Sequence, residues 1–270
     1  MARTLSGPNN AEATLLLTKI QRNLRRIIKF NVKRITYFLE LGYWMDGERV
    51  NPDFPDENFQ NHLKVYKFLA QFAADVDVLD VGCGTGYGTA HLAKVAKSII
   101  GVDSSKSALR WARKHYPSIR YIEMDVQVLG FSDDSFDLIV SSENFEHLAD
   151  QRAHVSELAR VLRPNGLCFV ASPNPEMSEA HNRFHTKENS YEELLALFSC
   201  KFGDVTIVEN ILEPRTLKGQ ELRRRRRLEG RTGVNAPAGA DTTWLHNTHS
   251  FFCFARDPRK QRVLRPVTAD

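Results

Sequence analysis

The sequence predicts an open, doubly wound α/β domain. Its centre is a mostly parallel sheet of seven strands with helices on both faces, and a helical extension precedes it. Two observations carry this. Between residues 76 and 172, short apolar runs alternate with longer helical patterns, and strands that alternate with helices need right-handed crossovers, which make successive strands parallel and cover both faces. A glycine-rich turn, Gly82 to Gly88, follows the first apolar run, where a strand would hand over to a helix. With 270 residues, 42% of them hydrophobic, the chain is long enough to bury one full core.

The elements follow in order. Val76–Val81 is a buried strand and Tyr87–Ala96 a helix. Ser98–Asp103 is the second strand, and a helix from about Ser105 to His115 takes Ser104 or Ser105 as its cap, because a hydroxyl satisfies orphan amides of the first turn. Ile119–Met124 and Phe136–Ser141 are strands three and four. Asp150–Leu162 is a helix stopped by Arg163-Pro-Asn-Gly166, and Leu167–Ser172 is the fifth strand. Tyr191–Phe202 reads as a helix and Asp204–Glu209 as a strand, while the aromatic, β-prone His249–Ala255 returns as the last strand. Residues 1–57 form the extension, 58–256 the domain, and 257–270 a tail. Residues 213–247 are a long basic loop within the domain, rich in Arg, Gly, Pro and Thr.

The charge is uneven. The whole chain carries +4, but residues 1–40 hold eight basic against two acidic side chains, leaving the remainder near −2. Leu16, Ile20, Leu24, Ile27, Ile28, Ile35 and Leu39 recur near helical spacing, which predicts a basic amphipathic helix or a broken pair over 12–41. That helix suits a lid or oligomer contact, a peripheral membrane contact, or nucleic acid. The second basic knot, Arg223–Arg227, has no aromatic residues interleaved from Lys218 to Arg231, so base stacking is not favoured there. The longest run without Asp, Glu, Lys or Arg spans 14 residues, Thr242–Ala255, short of the roughly 20 apolar residues that cross a bilayer. No secretory signal is expected, and the chain reads as cytoplasmic. Four scattered cysteines without a CxxC pair suggest neither a disulfide framework nor a zinc site, and no metal is expected.

In an open α/β sheet the ligand sits beyond the carboxyl ends of the strands, where strand order reverses. The first loop there is Asp80-Val-Gly-Cys-Gly-Thr-Gly-Tyr-Gly88. Its order is G-x-G-x-G with an acidic residue two before the first glycine. The dinucleotide pattern G-x-G-x-x-G fails, because the third glycine would fall at Tyr87 or Thr89. This loop resembles motif I of the class I S-adenosylmethionine-dependent methyltransferases, a Rossmann-like fold. Asp103 in Gly-Val-Asp-Ser, Asp125 in Glu-Met-Asp-Val, the segment Phe136–Leu148 and the turn Arg160–Gly166 match that family's later elements in order. The resemblance covers about residues 60–210. It implies S-adenosylmethionine as cofactor, held by Asp80, Gly82, Cys83, Gly84, Gly86, Tyr87, Asp103, Ser104, Asp125, Val126 and Ser142. In the family the acidic residue at Asp103 holds two ribose hydroxyls, a task suited to a carboxylate that accepts both protons. The aspartate at Asp125 meets the adenine amino group, and the next amide, here Val126, meets a ring nitrogen. Gly47-Glu-Arg-Val-Asn-Pro52, Asn61–Tyr66, and Asn182-Arg-Phe-His185 with Glu188 further resemble bacterial methyltransferases of glycan or secondary-metabolite pathways, with Arg183 where that group has proline.

Methyl transfer from a sulfonium is an in-line displacement that depends mostly on orientation. If the acceptor is a hydroxyl, a base adds rate, and His147 and His185 are the candidates because imidazole titrates near neutrality. Each has a second reading as an ordinary polar loop residue, and Glu146 reads as a solvated helix residue. The sequence thus predicts methyl transfer to a small-molecule or glycan-type acceptor, at oxygen. Two other readings fit the same residues: an RNA or protein methyltransferase docking through the basic segments, and a non-catalytic binding protein that keeps the fold.

Overall fold

The structure is a computed structural model that describes residue 50 and residues 52–53, 57–176, 182–209 and 250–258. The expected basic helix over 12–41, the loop over 213–247, Arg223–Arg227 and residues 259–270 of the expected tail lie outside the described residues, while 257 and 258 belong to the last strand. Seven strands form one sheet: β1 (Asp77–Val81), β2 (Ser98–Asp103), β3 (Arg120–Glu123), β4 (Phe136–Ser142), β5 (Leu162–Pro173), β6 (Phe202–Glu209) and β7 (Ser250–Pro258). Their spatial order is β3-β2-β1-β4-β5-β7-β6. The first five pair in parallel, and β7 runs antiparallel between β5 and β6. Strand order therefore reverses between β1 and β4, and the loops after these two strands flank the crevice that such a reversal opens.

Helices α1 (Glu57–Ala73), α2 (Tyr87–Leu92), α3 (Lys106–His115), α4 (Gln151–Val161) and α5 (Tyr191–Ser199) accompany the sheet. The two faces follow from the strand period of two. Leu79 and Val81 share one core with Val155 and Leu158 of α4 and Phe198 of α5. Val78 shares the other with Val65, Phe68 and Leu69 of α1 and with Leu92 of α2. Helix α1 was not read from the sequence as an element, although it supplies much of that second core. The cap of α3 is Ser105, whose hydroxyl accepts from the Ala108 amide at 3.3 Å. Helix α5 starts on a capping box of Ser190 and Glu193, two reciprocal bonds that satisfy first-turn amides.

The expected proline–glycine stop after α4 behaves differently. Strand β5 already begins at Leu162, and the pairing slips from Phe136↔Leu162 to Leu138↔Leu167. Residues 163–166 thus form an irregularity inside the strand, with Asn165 at φ 66°. Arg163 from this bulge bonds Asp137 at 2.6 Å and Asp77 at 3.0 Å. It fastens the starts of β1 and β4 at the end of the sheet opposite the crevice.

Candidate functional site

The turn after β1 holds three glycines in the left-handed region: Gly82 at φ 73°, Gly84 at 53° and Gly86 at 74°. A side chain there is strained, but the three positions differ in surroundings. A Cβ on Gly82 would stand 2.4 Å from Asn144 Cγ, and one on Gly86 would stand 2.5 Å from Tyr121 Oη. Both are glycine because neighbouring side chains pack against the backbone. Among the described residues nothing lies within 4 Å of a Cβ on Gly84, so its Cα is the part of the turn they leave uncovered.

Asp103, at the end of β2, fastens this turn. Its Oδ2 accepts from the Gly84 amide at 2.8 Å and its Oδ1 from the Ser105 amide at 2.8 Å. A carboxylate has about four lone-pair sites, so each oxygen keeps capacity for a further donor. Ser104, next in sequence, is exposed.

Three of the sequence-derived residues sit differently. Asp80 follows Val78 by two and so faces α1. It is 0% exposed, with Thr89 Oγ1 donating at 2.6 Å and Tyr66 Oη at 3.2 Å. Burial raises its pKa to about 6, against the lowering effect of these two hydrogen bonds. Cys83 is also buried, and desolvation pushes its thiol well above the ordinary value. Tyr87 turns to α1, where its hydroxyl meets His62 Nδ1 at 3.1 Å and its ring meets Phe59 and Tyr66. Asp80, Cys83 and Tyr87 thus anchor the turn from beneath.

At the end of β3, Asp125 is exposed and its Oδ1 accepts from the Gln127 amide at 2.9 Å. Val126 is buried, and its carbonyl accepts from His154 Nδ1 at 2.8 Å. His154 is fully buried on α4, and desolvation lowers its pKa to about 4. Its Nε2 lies 3.5 Å from Ser141 Oγ, which accepts from Asn144 Nδ2 at 3.2 Å. A chain of polar contacts thus links the β3 loop to the side chain that packs on Gly82. Sequence reasoning missed His154, because a histidine inside an amphipathic helix carries no motif.

The loop after β4 completes the crevice. Ser142 Oγ is buried without a hydrogen-bond partner among the described residues. An orphaned buried hydroxyl costs about 1–3 kcal/mol and asks for a ligand. Glu143 follows at φ 50°, an uncommon conformation for a side-chain-bearing residue, and its Oε1 accepts from Ser250 Oγ at 2.8 Å. Phe145–His147 then form one 3₁₀ turn. Glu146 is 1% exposed, which corrects its reading as a solvated helix residue: the loop 182–189 covers it, with the Thr186 and Lys187 amides bonding its carbonyl at 2.8 and 3.1 Å. The same loop brings His185 to His147, with ring centroids 5.0 Å apart at 77°. The two expected histidines are therefore neighbours.

Residues 79–170 match a family described as a methyltransferase domain. A Mycobacterium tuberculosis protein named "Probable S-adenosylmethionine-dependent methyltransferase" is 39% identical over 171 residues, covering 60% of this chain and 62% of its own length. A ubiquinone biosynthesis O-methyltransferase of Rhizobium johnstonii is 29% identical over 162 residues, covering 58% of this chain and 62% of its own length. The chain thus spans 62% of the length of both relatives. In three dimensions, an S-adenosylmethionine-dependent methyltransferase from Mesorhizobium loti superposes with a TM-score of 0.51 at 16% identity, over 73% of this chain and 98% of that one. The seven-stranded sheet is the class I methyltransferase fold. Among the described residues no helix is long and apolar enough to cross a membrane.

Proposed function

We propose that this chain, whose residues 79–170 are a methyltransferase domain, transfers a methyl group from S-adenosylmethionine to oxygen on a small-molecule or glycan-type acceptor. The observation that carries the reading is the crevice at the strand reversal. Among the described residues, Gly84 has open space beside its Cα, Asp103 is fastened to the Gly84 amide at 2.8 Å with lone pairs to spare, and the buried Ser142 hydroxyl has no partner. These features fit a nucleoside bearing a vicinal diol and a charged sulfur substituent. The Mycobacterium tuberculosis relative's name supports the donor, and the Rhizobium johnstonii relative's name supports oxygen as the acceptor atom.

S-adenosylmethionine supplies a methyl carbon already activated by a positively charged sulfur. The protein's work is then to place the donor and the acceptor. Asp103 accepts the two ribose hydroxyls, the loop at Asp125 and Val126 receives the adenine edge, and the Gly84 backbone lets the chain approach closely. Ser104 borders the ribose side, and Gly82 and Gly86 shape the bend. Asp80, Cys83 and Tyr87 act beneath it. Orientation of this kind supplies roughly 7–11 kcal/mol toward a displacement. His147 and His185 promote loss of the acceptor hydroxyl's proton.

The test is incubation of the full chain with methyl-labelled S-adenosylmethionine and a panel of hydroxylated small molecules and glycans. The reading expects label on an acceptor oxygen, with turnover reduced in His147→Ala and His185→Ala. Label found solely on nucleic acid or protein would refute it.

A further inference from the structure

We propose that Glu146, His147 and His185 bind a first-row divalent transition-metal cation on the acceptor side of the crevice. One donor atom from each of these side chains lies within 4.8 Å of the others. The tautomers point the same way. His147 Nδ1 faces the Phe184 carbonyl oxygen at 2.9 Å, and a carbonyl only accepts, so the proton sits on Nδ1. Its Nε2 is then turned toward Glu146 Oε1, 3.7 Å away. Two electron-rich atoms face each other around a carboxylate that is 2% exposed. That separation is too long for a hydrogen bond, yet short enough to be shared by a cation.

His185 repeats the pattern. Its Nδ1 bonds the Glu188 carboxylate, which leaves Nε2 as the lone-pair nitrogen. Metal-ligating histidines characteristically donate their second ring N–H to a carbonyl or a carboxylate, which fixes the tautomer and the ring. Here one ring has each kind of partner. Nε2 of His185 accepts from Asn182 Nδ2 at 3.1 Å, and the orientation of that amide is set by Asn182 Oδ1 accepting from the Phe184 amide at 3.0 Å. A cation at Nε2 would replace the Asn182 amide donor. A proton between His147 and Glu146 would leave the arrangement of His185 unused, whereas a cation engages all three groups.

Distances and donor types select the metal. Tetrahedral ligands at about 2.0–2.2 Å from zinc stand about 3.4 Å apart. The 3.7 Å pair is nearly set, and a separation of up to 4.8 Å must close by up to about 1.4 Å. Two imidazoles with one carboxylate suit zinc, iron or cobalt, while magnesium and calcium prefer all-oxygen sites. Three protein ligands leave open positions, and an acceptor bearing oxygen donors would fill them. The acceptor class rests on the function proposed above; the cation site itself does not. The cysteine spacing could not reveal it, because the donors are histidine and glutamate from two loops far apart in the chain.

The experiment strips the full-length chain with a chelator and titrates it with Co²⁺, read by visible absorption, then displaces Co²⁺ with Zn²⁺. One saturable equivalent is expected. Glu146→Gln and His185→Asn should each weaken it more than about 100-fold, and Glu188→Gln should weaken it about 10–100-fold. Asn182→Ala should bind as tightly or more tightly, which a purely structural role for this loop would not produce. Absence of saturable binding by the wild type, or equal binding by a folded Glu146→Gln/His185→Asn double variant, overturns the site. S-adenosylmethionine binding, measured by calorimetry on the same metal-free protein, reports on the proposed function separately.

Discussion

Asp103→Ala separates what this carboxylate does for the fold from what it does for the donor. In the structure it accepts two backbone amides, from Gly84 and Ser105, at 2.8 Å each. Each charge-assisted bond contributes about 1.5–3 kcal/mol where it is shielded from water, and the partial exposure of Asp103 puts the loss nearer the low end. Removing both therefore costs about 3 kcal/mol of stability, a part of the roughly 5–15 kcal/mol of a typical domain. Donor binding loses the two ribose hydroxyl bonds as well, about 1–1.5 kcal/mol each, which raises Kd about 30–150-fold. Calorimetry with S-adenosylmethionine and with an analogue lacking both ribose hydroxyls isolates that second effect. The wild type should prefer the natural donor, and Asp103→Ala, checked as folded by thermal unfolding, should lose the preference. Unchanged discrimination in the variant would refute the assignment of Asp103.

His154 and the glycine turn give two further tests. The folded pKa of His154 is lowered to about 4 from an ordinary 6.5, mainly by desolvation, so the folded state binds fewer protons across that window and stability is lost as pH falls from 6.5 to 4. His154→Gln should remove that loss: the variant should gain about 3 kcal/mol on the wild type between pH 7 and pH 4 in urea unfolding, and a pH-independent difference would contradict the burial argument. Asp80 acts with the opposite sign, since its pKa is raised to about 6 and its ionisation weakens the fold as pH rises toward that value. Subtracting wild type from variant removes its contribution. Gly82→Ala and Gly84→Ala both pay for positive φ, about 1–2 kcal/mol, but only Gly82→Ala also meets Asn144 at 2.4 Å. Thermal unfolding should show Gly82→Ala as the less stable variant, while Gly84→Ala should affect donor affinity more; equal melting temperatures would contradict the packing difference.

Much of this site was legible because the fold writes it locally. Strand ends, glycine spacing and the aspartates at 103 and 125 are neighbours of the turn they build, so period and order place them. What escaped depends on which way a side chain faces. Asp80 belongs to the motif, yet the two-residue alternation from Val78 sends it beneath the turn to Thr89 and Tyr66. His154 fills a core position whose polar partners come from β3 and β4 loops. Glu146 looked solvated because the loop that covers it starts more than 30 residues later. Helix α1 lies ahead of the strand–helix alternation that marks the domain, although its buried Val65, Phe68 and Leu69 recur at helical spacing.

Binding of methyl-labelled S-adenosylmethionine to the full-length chain by equilibrium dialysis tests the crevice most directly. The account predicts one saturable site per chain, weakened at least tenfold in a folded Gly84→Val variant, whose side chain enters the open space beside the turn. No retention of label at millimolar donor, or equal retention by that variant, would contradict it.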